Sequence, residues 1–153
     1  SSTTNVIAPG TKGKVDFGFT YGGDANATAP EVAYTFTVSA DKSTCAQSIQ
    51  DNTNIQWKLD NGEWGTWNQL LDAIKALEGN KTDNKYNPGE LPDAVKNNNG
   101  KHTVEWQWLF ETKSTGENAA AVAAQNVTDT TMGNADELAK VELVITVSAT
   151  QID

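Results

Sequence analysis

The amino-acid sequence predicts a mainly β protein, an antiparallel β-sandwich carrying one amphipathic helix, and three observations lead there. Several stretches alternate apolar with polar side chains, the period-two pattern of a strand that buries one face. One stretch alone repeats its apolar residues at helical spacing. Between them lie segments rich in Asn, Thr, Ser and Gly, which serve turns by supplying left-handed backbone or local hydrogen bonds.

The strongest strand signal is 103–111, where Val104, Trp106, Trp108 and Phe110 share one face and Glu105, Gln107 and Glu111 the other. Each buried aromatic withdraws roughly 150–250 Å² from water, so this strand is expected at the centre of the core. Earlier in the chain, residues 1–5 are polar and read as a loose lead into a turn at Pro9 and Gly10. Val15, Phe17, Phe19 and Tyr21 then alternate along 14–21, and Val32, Tyr34, Phe36 and Val38 along 31–40. The segment 41–53 is polar and carries no clear period. Ile55, Trp57 and Leu59 define a further strand, closed by Asp60, Asn61 and Gly62, a tight-turn signal.

The helix is predicted from Trp67 to Glu78, covering an end or edge of a sheet. Thr66 stands three residues before Gln69 as a capping box, Trp67, Leu70, Leu71, Ile74 and Leu77 form the apolar stripe, and Gly79 is placed to end it. Residues 80–100 read as loop with a helical turn at 92–96, 112–124 as loop with one helical turn, and 126–134 as a turn-rich loop. The last strand, 139–149, sets Val141, Leu143, Ile145 and Val147 against Glu142, Thr146 and Ser148, with Val144 interrupting the polar face.

A chain of 153 residues suits one domain, 1–153, large enough to bury a real core. Its net charge of −9, with lysine as its sole basic residue besides His102, argues against nucleic acid and anionic membranes, which need clustered cations. No apolar run approaches the ~20 residues that span a bilayer, so no membrane insertion by this segment is expected. The single cysteine, Cys45, excludes an internal disulfide and reads as a small buried hydrophobe.

No residue pattern points to a reaction, and the chain reads as non-enzymatic, without catalytic residues or an obligatory cofactor. His102 reads as a solvated residue at a strand entrance, and no His-Glu-x-x-His motif is present. Asp16 and Glu105 could face one another on a strand surface. Asp129, Asp136 and Glu137, near Asn126 and Asn134, form an oxygen-rich cluster compatible with calcium, although a turn held by side-chain hydrogen bonds of Asp129 and Thr130 is the favoured reading. Of the five tryptophans, Trp57, Trp67, Trp106 and Trp108 fall on apolar faces, leaving Trp64 in a turn as the one placed to stack on a sugar.

Read in order, Ile7, Ala8, Pro9 and Gly10, then Trp57 to Asp60, then Trp106 and Trp108, then Asp129, Thr130, Thr131, Met132 and Gly133, and finally Ala149, Thr150 and Gln151, the chain resembles the TasA/camelysin family. Those are exported bacterial proteins processed by the SipW-type signal peptidase. The resemblance implies a jelly-roll-like sandwich, secretion across a Gram-positive envelope, and a structural role at the cell surface or in biofilm matrix. Assembly would proceed by β-strand addition at sheet edges, with other copies or other surface and matrix proteins as partners. It also implies further β sequence ahead of the Pro-Gly turn, so that a strand is expected to be missing from this start. The alternative is a carbohydrate-binding or adhesion module using Trp64; a metal-dependent protease, as camelysin-like members have been described, comes third.

Overall fold

The computed structural model describes residues 2–6, 10–19, 29–79, 85–109 and 140–152. Strands dominate them, all paired antiparallel. In chain order these are β1 (Ser2–Val6), β2 (Lys12–Gly18), β3 (Tyr34–Ser39), β4 (Thr44–Cys45), β5 (Ile55–Leu59), β6 (Lys101–Trp108), β7 (Lys140–Val144) and β8 (Thr146–Gln151). Three helices accompany them, α1 (Gln47–Gln50), α2 (Trp67–Lys75) and α3 (Asp93–Lys96); α2 and α3 fall where the amphipathic helix and the helical turn were expected, and α1 is additional.

One sheet runs β2-β6-β5, with Val15 opposite Val104, and Trp57 opposite Trp106. The alternation read from sequence sets its sidedness: His102, Val104, Trp106 and Trp108 are buried, and Lys101, Thr103, Glu105 and Gln107 point away. Phe110 and Tyr21 lie outside the described residues.

The second group is built on one long strand interrupted at Ile145. β7 pairs with β1 and β4, and β8 continues it along β3. Ser39 opposes Thr146 whereas Thr44 opposes Glu142, so residues 40–43 on one strand face 143–145 on the other. The surplus residue makes a bulge. Ser43 closes it with its side chain, Oγ accepting from the Val144 N–H at 2.8 Å and donating to the Val144 carbonyl at 3.1 Å. β1 corrects the expectation of a loose, strandless start: pairing of Ser2 with Val144 through Val6 with Lys140 supplies hydrogen-bond partners that polarity alone did not reveal.

The two groups share one core, where Phe19 meets Phe36 edge-on at 6.1 Å and Trp57 meets Trp67 at 4.9 Å. Helix α2 forms as its cap predicts. Thr66 Oγ1 accepts from the Gln69 N–H, and Gln69 Oε1 accepts from the Thr66 N–H, two otherwise orphaned donors satisfied together. Its buried residues Trp67, Leu70 and Ile74 press against β5 and β3, so α2 lies along strands of both groups. A 3-10 turn (Ala76–Glu78) extends it to Gly79, whose φ of 56° is the left-handed stop.

The segment read as polar without a clear period and the one read mostly as loop both carry core residues. Ile49 on α1 is buried within the polar stretch, and Tyr86 is buried where loop was expected. Tyr86 bridges Tyr34 by two backbone hydrogen bonds of 2.8 and 3.1 Å and stacks on its ring. In the opposite sense, Val32 and Val147, both assigned to buried strand faces, are 40% and 43% exposed. Val32 precedes β3, and Val147 lies beyond the bulge, on the part of the long strand that the core no longer covers.

Candidate functional site

His102 is the first position to test for chemistry. It is 5% exposed, not solvated as expected, because β6 turns it inward beside Phe17 and Phe19 at ring distances of 5.4 and 5.3 Å. Its Nδ1 lies 2.8 Å from Asp60 Oδ2 and its Nε2 2.9 Å from the Ala94 carbonyl oxygen. Both ring nitrogens are therefore engaged within the protein, one by a carboxylate and one by a backbone carbonyl, and neither is turned toward an open site. The residue is a clamp joining β6, the turn after β5 and α3. Asp60 completes it: the carboxylate also accepts from the Thr103 N–H at 2.9 Å, and the Asp60 N–H donates to the Thr103 carbonyl at 2.7 Å. Holding these bonds puts Asp60 at φ 53°, a left-handed conformation that Asp tolerates better than most residues.

Asp16 and Glu105 do not form a facing pair. Asp16 opposes Thr103 and accepts its hydroxyl hydrogen at 2.7 Å, while Glu105 stands between Lys14 on one neighbouring strand and Lys58 on the other. Lys58 Nζ is 3.4 Å from Glu105 Oε2 and 4.6 Å from the centroid of the Trp64 ring. Trp64 is brought there because Gly65 pairs back onto Trp57, N–H to carbonyl in both directions at 2.8 and 2.7 Å, which turns the preceding side chain onto the outer face of the sheet. It is 37% exposed, whereas Trp57, Trp67, Trp106 and Trp108 are each 7% exposed or less. A depression of about 400 Å³ opens beside it, with Lys12, Lys14, Glu105 and Gln107 around it. A larger one of about 780 Å³ adjoins, sharing Lys14 and Glu105 and continuing past Thr103 to Lys101 and Asn98, with Asp60 and Asp93 also lining it.

The other unusual surface is the edge of β8. Among the described residues it pairs with β3 alone, and all six of its side chains are exposed. The far edge of β3 is closed: the Val38 N–H donates to Glu78 Oε1 at 3.1 Å, and Tyr86 occupies the backbone of Tyr34. No such cover lies on β8 among the described residues.

Cys45 is half-buried, and burial pushes its thiol from the ordinary 9.0 up to about 12. Asp129, Asp136 and Glu137 lie outside the described residues, and the described ones bring together no metal-binding group of His, Cys, Asp or Glu. Among them, no helix is long and apolar enough to cross a membrane, and a single cysteine permits no internal disulfide.

No protein-family model and no curated protein matches this chain. The residues themselves carry the argument.

Proposed function

We propose that the chain is a non-catalytic, exported structural protein of a cell surface or biofilm matrix, a jelly-roll-like sandwich that associates by adding a strand at the β8 edge. One observation carries the reading. The run 146–152, Thr-Val-Ser-Ala-Thr-Gln-Ile, has no charged residue and no proline, the devices by which an edge strand normally avoids pairing with another chain. Its backbone is paired on one side only among the described residues, and its side chains are open on both faces. An extended segment of a second copy can be received there through main-chain hydrogen bonds. The clamped state of His102 supports the non-catalytic part of the reading.

The test is assembly of the chain against a Val147→Lys, Ala149→Lys variant, followed by sedimentation and electron microscopy over rising concentration. Oligomers or filaments in the parent and monomers in the variant are expected. Equal behaviour of the two, in either direction, removes β8 as the assembly edge.

A further inference from the structure

The outer face of the β2-β6-β5 sheet holds a second site, independent of the β8 edge. Cross-strand register places Lys12 opposite Gln107 and Lys14 opposite Glu105, with Lys58 on the other side of Glu105. Three of the chain's eleven basic residues therefore stand around one carboxylate, on a molecule whose net charge is −9. Lys58 is already engaged by Glu105 and the Trp64 ring. Lys12 and Lys14 have no carboxylate partner within salt-bridge distance among the described residues, and as positions i and i+2 of one strand their side chains rise from the sheet roughly 7 Å apart. Across the depression from them stands Trp64, the one tryptophan with substantial exposed surface.

We infer that this trough binds an acidic polysaccharide through its uronate-type sugar units. The indole is flat and apolar, and it matches the C–H face of a pyranose ring. The amide of Gln107 and the carboxylate of Glu105 on the floor can take the hydroxyls, and Lys12 and Lys14 can take the sugar carboxylate as point charges. The adjoining depression shares Lys14 and Glu105 but is also lined by Asp60 and Asp93, so the anionic sugar unit is placed on the Lys12 and Lys14 side, beside Trp64, and not along that depression. Charge complementarity selects the acidic sugar over a neutral one, since a neutral ring would leave both lysines unused.

Binding of a tetragalacturonate to the whole chain, followed by tryptophan fluorescence and calorimetry, tests this. Trp64→Ala is expected to weaken binding at least 10-fold, Trp64→Phe to restore much of it, and Lys12→Gln with Lys14→Gln to weaken it at least 10-fold and flatten its salt dependence. A neutral oligosaccharide of equal length is expected to bind at least 10-fold more weakly than the uronate. Absence of uronate binding by the parent chain, undiminished binding by Trp64→Ala, or polyglutamate competing as well as the uronate would each overturn the inference, the last by reducing it to charge attraction.

Discussion

The indole of Trp106 lies across Gly13, its cross-strand partner, so closely that a β-carbon on Gly13 would stand 2.7 Å from Trp106 Cζ2. The ring covers a strand position that offers no side chain of its own. Alanine is the better strand residue by roughly 0.5–1 kcal/mol, but here it must displace a buried ring, and overpacking of that kind costs about 1–3 kcal/mol. Gly13→Ala is therefore expected to lower the urea midpoint and alter the near-ultraviolet circular dichroism of the tryptophans. An unchanged midpoint would show that the ring moves aside freely.

Gly100 ends a left-handed run in which Asn98, Asn99 and Gly100 have φ of 51°, 55° and 76°. A β-carbon there would collide with the Phe19 carbonyl oxygen, while the Phe19 N–H donates to Gly100 O at 2.9 Å. Strain and collision act together, so Gly100→Ala should cost more than the roughly 1–3 kcal/mol of a left-handed residue alone. Gly89 separates the two effects, having φ 83° with nothing within 4 Å of a β-carbon. Gly89→Ala should cost only the strain, and equal losses at the two glycines in chemical denaturation would sink the collision argument.

The strands and helix that these residues hold together were legible wherever a local rule was also the tertiary rule. Val104, Trp106 and Trp108 alternate because one face of β6 is buried, and Thr66 caps α2 through bonds spanning three residues. Trp64 was correctly separated from the other indoles by its position in a turn. Failures came where distant partners decide. His102 follows a Gly-Lys turn, and only Asp60, 42 residues away in sequence, and Ala94 make its burial tolerable. Tyr86 sits among Asn, Pro and Gly, and its burial depends on Tyr34 and on the Glu78 carbonyl that accepts its hydroxyl at 2.7 Å. Val147 keeps the alternation of its strand but lies past a bulge that no period in the sequence marks.

The clamp at His102 predicts a large effect from a side chain that is itself partly exposed. Removing the Asp60 carboxylate strips an acceptor from the Thr103 N–H and another from the buried ring nitrogen. Leaving a buried donor unmatched costs about 1–3 kcal/mol, so Asp60→Ala should lower stability by roughly that amount with the denaturant slope unchanged. Asp60→Asn keeps one acceptor oxygen and the residue type next most tolerant of left-handed backbone, and should fall between the two. Equal stabilities for Asp60→Ala and the parent would show the clamp to be energetically idle.

Glu78 is expected to guard the far edge of β3. Its Oε1 accepts from the Val38 N–H and from Lys75 Nζ at 2.9 Å, and that bond with the attendant charge pair raises the Lys75 pKa. Glu78→Ala frees the Val38 donor and opens a second strand edge. Hydrogen exchange at Val38 should accelerate, and self-association should rise above that of the parent; exchange as slow as before would mean that something other than Glu78 shields this amide.

Cys45 supplies the pH prediction. Desolvation holds its thiol protonated in the folded chain up to about 12, against 9.0 for a free thiol. The folded state therefore retains a proton that the unfolded state gives up across that window, and the stability contributed by this residue is complete below 9.0 and falls as pH rises toward about 12. Replacing it by alanine should remove that part of the alkaline loss, read as a shallower fall of melting temperature above pH 9. The same shift predicts chemistry at neutral pH. The thiolate is the nucleophile, so alkylation by iodoacetamide should be roughly 10²–10³-fold slower in the folded chain than in urea. Rapid labelling of the folded protein would show that the thiol meets solvent far more often than this packing allows.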